Sequence, residues 1–305
     1  MSHSTAGLRH KITSAEDLQS VVRTMKTMAA SSIAQYERSV LALSDYYRTV
    51  EIGLGACLRE SGTAAAFPAA LPPVLPPVLP TGDSTPQMTG AIVFGTDQGL
   101  VGQFNEAVAE FALRTLSDLP GEPQVWAVGE RVHARLVDAG LTPLGCFPVP
   151  TSVAGIAPLV GRIQLESEAH REEAGYSSVY LIHNQPESAA YEPVSLRLLP
   201  LDAAWNARMT KREWPTQGLP EVLAGRSSTL RALIREYLFI SMFRACAESL
   251  AAENSSRLTA MGRAERNIEE MLTQLNGDFR RSRQEGIDEE LFEVISGYEA
   301  LEPPP

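Results

Sequence analysis

The chain has 305 residues, with 44% hydrophobic and 21% charged residues, which are the proportions of a folded soluble protein and not of a disordered one. Its formal net charge of -11 argues against a general nucleic-acid binder, because neutralising phosphate needs a clustered basic surface. Cys57, Cys146 and Cys246 have no paired spacing and His3, His10, His133, His170 and His183 are scattered. These positions read as packed, reduced thiols with no metal-ligand pattern. No apolar run reaches the ~18 to 20 residues that cross a bilayer, and no basic-then-apolar signal opens the chain. A cytoplasmic location is expected, with peripheral attachment to a membrane assembly still open.

The first element is a long helix over 8–60. Its stripe steps by three and four through Ile12, Ala15, Gln19, Val22, Lys26, Ala29, Ile33, Tyr36, Val40, Leu43, Tyr47, Val50, Leu54 and Cys57. A mean step of 3.5 residues keeps a narrow apolar seam facing a supercoiled partner. Residues 61–89 form a linker, and its run Phe67-Pro-Ala-Ala-Leu-Pro-Pro-Val-Leu-Pro-Pro-Val-Leu-Pro80 favours extended geometry over helix.

From residue 90 to 202 the pattern alternates. Strands are expected at 91–94, 124–128, 144–149, 178–182 and 194–199, the last two as a hairpin across a 184–192 loop. Helices are expected at 105–116, 130–139 and 153–168. Alternating βα units imply a mainly parallel sheet covered by helices, hence a Rossmann-like α/β domain. A connector over 203–218 leads to a C-terminal helix over 219–300. There Leu258, Met261, Ile268, Leu272, Leu275 and Phe279 repeat the heptad step, with Glu265 as the charged intruder. The expected fold is therefore α/β plus a long α-helical coiled coil: the N- and C-terminal helices pair antiparallel and flank the Rossmann-like domain.

The one glycine-rich strand-to-helix turn, Gly95-Thr-Asp-Gln-Gly-Leu-Val-Gly102, lacks both the dinucleotide fingerprint and the Lys-Ser/Thr of a P-loop. Sequence neighbours supply no nucleophile and base, and Glu289 with Glu290 reads as solvated charge beside Arg283. Neither a cofactor nor a metal nor a catalytic residue is expected.

Three blocks carry a resemblance. Leu8-Arg-His-Lys-Ile-Thr-Ser14 followed by Met25-Lys-Thr-Met-Ala-Ala-Ser31 is similar to an Ile-Arg-x-x-Ile-x-Ser opening and a Met-x-x-Val-Ala-Ala-Ser stretch. Thr96-Asp-Gln-Gly-Leu-Val-Gly-Gln-Phe-Asn105 resembles Thr-Asp-Arg-Gly-Leu-Cys-Gly-Gly-Leu-Asn. Glu248-Ser-Leu-Ala-Ala-Glu-Asn-Ser-Ser-Arg-Leu-Thr-Ala-Met261 resembles Glu-Asn-Leu-Ala-Ser-Glu-x-x-Ala-Arg-x-x-Ala-Met. Arg283-Gln284, Ile287, Glu290-Leu291 and Glu293 then follow a closing Arg-Gln-x-x-Ile-Thr-x-Glu-Leu-x-Glu pattern. All belong to the gamma subunit of F-type ATP synthases. Gln98, Val101, Gln103 and Asp288 depart from the family residues and mark a divergent bacterial branch.

The resemblance implies a central rotor shaft without bond chemistry of its own. It would be peripheral on the cytoplasmic side of the bacterial inner membrane, with the alpha and beta subunits of the catalytic hexamer, the epsilon subunit and the c-subunit ring as partners. The resemblance and the exposed basic positions together give Arg9, Lys11, Arg23, Lys26, Arg257, Arg283 and Gln284 as subunit-coupling candidates. Two other readings fit parts of the pattern: a nucleotide-binding α/β protein with a coiled-coil arm, and a coiled-coil adaptor.

Overall fold

A computed structural model describes residues 5–60, 88–119, 121–174, 176–187, 190–218, 220–222 and 225–299, so the proline-rich run lies outside the described residues. The elements in chain order are α1 (Thr5–Glu60), β1 (Met88–Phe94), α2 (Phe104–Ser117), β2 (Pro123–Val128), α3 (Glu130–Asp138) and β3 (Gly145–Phe147). A 3-10 turn (Val153–Gly155), α4 (Ile156–Ala174), β4 (Tyr176–Glu187), β5 (Ala190–Leu199), α5 (Ala203–Thr210) and α6 (Arg226–Glu299) follow. These form two compact units, Met1–Ala29 with Leu258–Pro305, and Ala30–Arg257.

The second unit is built on one sheet of order β3-β2-β1-β4-β5. β1 pairs parallel with β2 and β4, β2 parallel with β3, and β4 antiparallel with β5. Alternate side chains of a strand face opposite ways, and β1 separates two cores. Ala91 and Val93 join Val108, Ala112, Val132 and Leu136 of α2 and α3. Ile92 and Phe94 join Ile156 and Ile163 of α4 together with Tyr36, Leu54, Ile234 and Leu250 of the two long helices. The result is a doubly wound sheet with one face covered by parts of α1 and α6. Those parts run antiparallel: Gly53 lies against Leu233, Tyr47 lies 5.6 Å from Tyr237, and Tyr36 lines a cleft with Leu250 and Glu253.

In the first unit, α1 and α6 again run antiparallel: Arg23 reaches both Glu265 and Glu269, and Lys26 reaches Glu265. All fourteen heptad positions of α1 are buried or half-buried, whereas Leu18, Val21 and Met28 between them, and Arg9 and Lys11 ahead of them, are exposed. The 3.5 period therefore located the seam in each unit.

Several details differ from the sequence expectation: the expected connector over 203–218 contains α5, and α6 starts at Arg226 where a helix from 219 is expected. β4 and β5 extend to Glu187 and from Ala190, with Glu187 opposite Ala190, where a long loop is expected. β4 pairs with β1 only as far as Ile182, so Pro186 lies on a free edge and Pro193 on edge strand β5. At those places a missing N–H breaks no inner ladder. α4 starts at Ile156, after the 3-10 turn. Cys57 and Cys246 are buried, but Cys146 is exposed, because β3 is a three-residue edge strand whose Phe147 alone turns into the core.

Candidate functional site

In an open α/β sheet the crevice outside the carboxyl ends of the strands, where strand order reverses, is the place for a ligand. Here that place lies beyond β1 and β4, and the turn after β1 is fixed by its own polar groups. The Thr96 N–H donates to Asn105 Oδ1 at 3.0 Å, Asn105 Nδ2 donates to Thr96 Oγ1 at 2.9 Å, and Thr96 Oγ1 donates to the Gln98 carbonyl at 2.8 Å. Gly95 and Gly129 allow two loops to cross: a Cβ on Gly95 would stand 2.3 Å from Val132 Cβ. One on Gly129, whose φ is 117°, would stand 2.7 Å from the Thr96 backbone.

The anion position at the start of α3 is filled from within. Asp97 Oδ1 accepts the Glu130 N–H at 2.9 Å, Asp97 Oδ2 accepts the Val149 N–H at 2.8 Å, and the Arg131 N–H donates to the Thr96 carbonyl. A helix N-terminus offers such N–H groups to phosphate; this one has given them to a carboxylate and a carbonyl. The crevice itself is filled by α6. Ala252 packs with Val101 and Phe104, Ser256 Oγ donates to the Val101 carbonyl at 2.5 Å, and Asn184 Nδ2 donates to the Phe104 carbonyl at 3.0 Å.

α6 also brings charged groups onto the sheet. His183 Nε2 of β4 lies 2.9 Å from Glu248 Oε2, while Arg244 Nε donates to Glu248 Oε1 at 2.7 Å. Burial alone would raise the Glu248 pKa, but the hydrogen bonds from His183 and Arg244 outweigh it and hold the carboxyl below its ordinary range. One turn on, Arg257 Nη2 donates to Glu253 Oε1 at 2.7 Å. Burial raises the Glu253 pKa against the opposing pull of Arg257, and Asp97 adds to the rise. Glu253 and Arg257 line a cleft of about 180 Å³ with Ser32, Tyr36, Asp97 and Asn254. Among the described residues no group of three or more His, Cys, Asp or Glu could hold a metal ion.

Of the coupling candidates, Arg257 is thus buried in an ion pair. Arg23 and Lys26 converge on Glu265 at 2.8 and 3.0 Å and hold its pKa below the ordinary carboxylate value, through hydrogen bonds first. Lys26 and Glu265, the two charged intruders of the seams, are each other's partners. Arg9, Lys11, Arg283 and Gln284 stand exposed on the helices. Sequence reasoning missed the His183–Glu248–Arg244 cluster. Its available signal was a polar His183-Asn184 pair closing an otherwise apolar strand, opposite no marked partner.

A family model described as ATP synthase matches residues 4–301. The ATP synthase gamma chain of Granulibacter bethesdensis is 28% identical over 98% of this chain and 99% of that protein. That of Roseiflexus castenholzii is 27% identical over 98% of each. Among solved structures, a chain of the Euglena gracilis mitochondrial ATP synthase described as OSCP/F1/c-ring superposes with a TM-score of 0.59 at 14% identity. It covers 98% of this chain and 94% of that one. A Tetrahymena thermophila mitochondrial ATP synthase central stalk/c-ring chain gives 0.52 at 19% identity, over 80% and 99%. With the family model spanning nearly all of its length, the chain belongs to the ATP synthase gamma-chain family, that of the central-stalk subunit.

Proposed function

We propose that this chain is the rotor of an F-type ATP synthase, passing torque between a c-subunit ring and the catalytic alpha and beta subunits, with the epsilon subunit bound to it. The observation that carries this reading is the division of labour in the long helices. Their seam is closed by the chain's own residues, down to the Lys26–Glu265 pair, so the exposed faces are free for other subunits. Those faces are unequal around the helix axis. Unequal contacts can bias three otherwise identical sites toward different conformations, since only differential binding shifts a population.

Arg283 and Gln284, exposed on α6, are the proposed catch for a beta-subunit loop, with Arg9 and Lys11 as polar contacts on α1. Arg23 and Lys26 act first on Glu265, so their coupling role is to set the register of the helix pair. Arg257 acts from within its buried pair with Glu253, by holding α6 beside the Asp97 turn. No described helix is long and apolar enough to cross a membrane, and attachment on the cytoplasmic side of a bacterial inner membrane would come through the ring.

The test is co-expression with alpha and beta subunits of the same source, followed by sizing and ATPase assay. One copy per assembly, with activity that depends on this chain, is expected. Absence of assembly, or activity unchanged without the chain, overturns the reading. Arg283→Ala with Gln284→Ala should lower coupled turnover more than assembly.

A further inference from the structure

Where α6 lies over the carboxyl ends of the strands, a cleft of about 180 Å³ stays open beside it. The loops that follow β1 and β3 form part of its wall, and all of its lining residues belong to the unit Ala30–Arg257. The carboxyl ends of parallel strands are where open α/β sheets take small ligands. A dry cavity of about 150 Å³ holds a molecule the size of benzene. The room here is therefore for roughly six to eight heavy atoms.

Val149, Pro150 and Leu250 give the wall an apolar part. Its polar part contains two side chains whose bonding is incomplete. Glu253 is 6% exposed and Arg257 9%, and Arg257 Nη2 donates to Glu253 Oε1 at 2.7 Å. That bond leaves Glu253 Oε2 and Arg257 Nε without a hydrogen-bond partner among the described residues. Asp97, the other carboxylate of the cleft, accepts the Glu130 and Val149 N–H groups and has nothing to donate when ionised. An acceptor and a donor are thus left on two side chains already joined to each other. A carboxylate ligand would accept from Arg257 but repel Glu253 and Asp97, and an ammonium would donate to Glu253 but leave Arg257 Nε unmet. A primary carboxamide carries two N–H donors and a carbonyl acceptor on one uncharged group, and so answers both atoms.

We propose that this cleft binds a small primary carboxamide, its NH₂ group donating to Glu253 Oε2, its carbonyl accepting from Arg257 Nε, and its alkyl body against Val149, Pro150 and Leu250. Both atoms are closed off from solvent, where an unmade hydrogen bond is costly. The Glu253–Arg257 pair therefore gains by turning toward a ligand that supplies both partners. This site is independent of the rotor reading, since it needs only the chain itself.

The experiment is calorimetric titration of the full chain with isobutyramide near neutral pH, with isobutanol, isobutyrate and N,N-dimethylisobutyramide as comparisons. Saturable one-to-one binding of isobutyramide is expected, with a melting temperature that rises with its concentration. The N,N-dimethyl amide, which has no N–H, and the charged isobutyrate should each bind about tenfold or more weakly. Glu253→Leu removes the acceptor and should lose binding to the same extent. Ser32→Phe, from the α1 side of the wall, fills the cleft while leaving the Glu253–Arg257 pair in place, and should also abolish binding. A melting curve without ligand identifies each variant as folded, and Ser32→Phe carries the test if Glu253→Leu does not fold. Wild type without saturable isobutyramide binding overturns the site. Isobutanol or isobutyrate bound as tightly as isobutyramide overturns the carboxamide chemistry, and undiminished binding by folded Ser32→Phe overturns the location.

Discussion

The two units hold the same pair of helices by different means. In Ala30–Arg257 the helices lie on a sheet, and Leu54, Ile234, Leu250 and Ala251 are buried in a core shared with β1, β2 and β4. In the unit formed by the chain ends, the fully buried apolar side chains among the described residues are Leu8, Ala15, Ala29 and Met261, and two of these are alanines. A narrow alanine-rich seam fixes register poorly by shape alone. The Arg23–Glu265–Lys26 cluster supplies it by charge, the best attested use of a polar group in a coiled coil. Stability therefore resides mainly in one unit and register in the other, and substitutions should separate the two.

The largest effect is expected from Phe94→Ala, which empties the centre of the larger core. A loss of about 3–5 kcal/mol, seen as a lowered denaturation midpoint, is expected; a loss below about 1 kcal/mol would show that this core does not carry the unit. Next comes His183→Ala. Removing one partner of buried Glu248 should cost about 1–3 kcal/mol, with α6 less protected against hydrogen exchange beside β4.

The same carboxyl gives a pH dependence. Its pKa is depressed in the folded chain, so its stabilisation is present above the ordinary glutamate value and is lost as pH falls through the folded one. Glu253 has the opposite sign. Burial raises its pKa, so its contribution declines as pH rises from the ordinary value toward the folded one. Acid titration of the wild type against Glu248→Gln should show the first slope missing from the variant. The smallest change in stability is expected for Lys26→Glu, yet it places like charges together at Glu265. It should lower the yield of a cross-link engineered between α1 and α6 near that pair while scarcely moving the melting temperature. A large fall in melting with an unchanged cross-link would reverse the proposed division.

Much of this was legible in the sequence, for reasons that differ by region. The seams were legible because burial on a supercoiled helix is periodic, and the polar positions Gln19 and Lys26 interrupt that period without shifting it. The central strands were legible because a strand covered on both faces is an apolar run, as in 91–94. What could not be read was pairing between polar groups distant in sequence. Nothing in the neighbourhood of Glu265 names Lys26, nothing beside His183 names Glu248, and nothing in the Gly95 turn shows that Asp97 would accept two N–H groups from far along the chain. Prolines also mislead locally, since Pro186 and Pro193 look like loop residues until the free edges of β4 and β5 excuse them.

That Asp97 turn has a consequence for control. A site that binds an exchangeable phosphate makes its host a sensor, because occupancy follows the concentration of the ligand. Here the occupant is a side chain of the same polypeptide, tethered at constant effective concentration, and α6 packs against the turn through Ser256 and leaves a cleft beside Glu253 and Arg257. The sheet is doubly wound, and the N–H groups that an anion would take at the start of α3 are held by Asp97 and the Thr96 carbonyl. A phosphate could take this helix start only by displacing Asp97 from the Glu130 and Val149 N–H groups, so the turn is set by the chain itself.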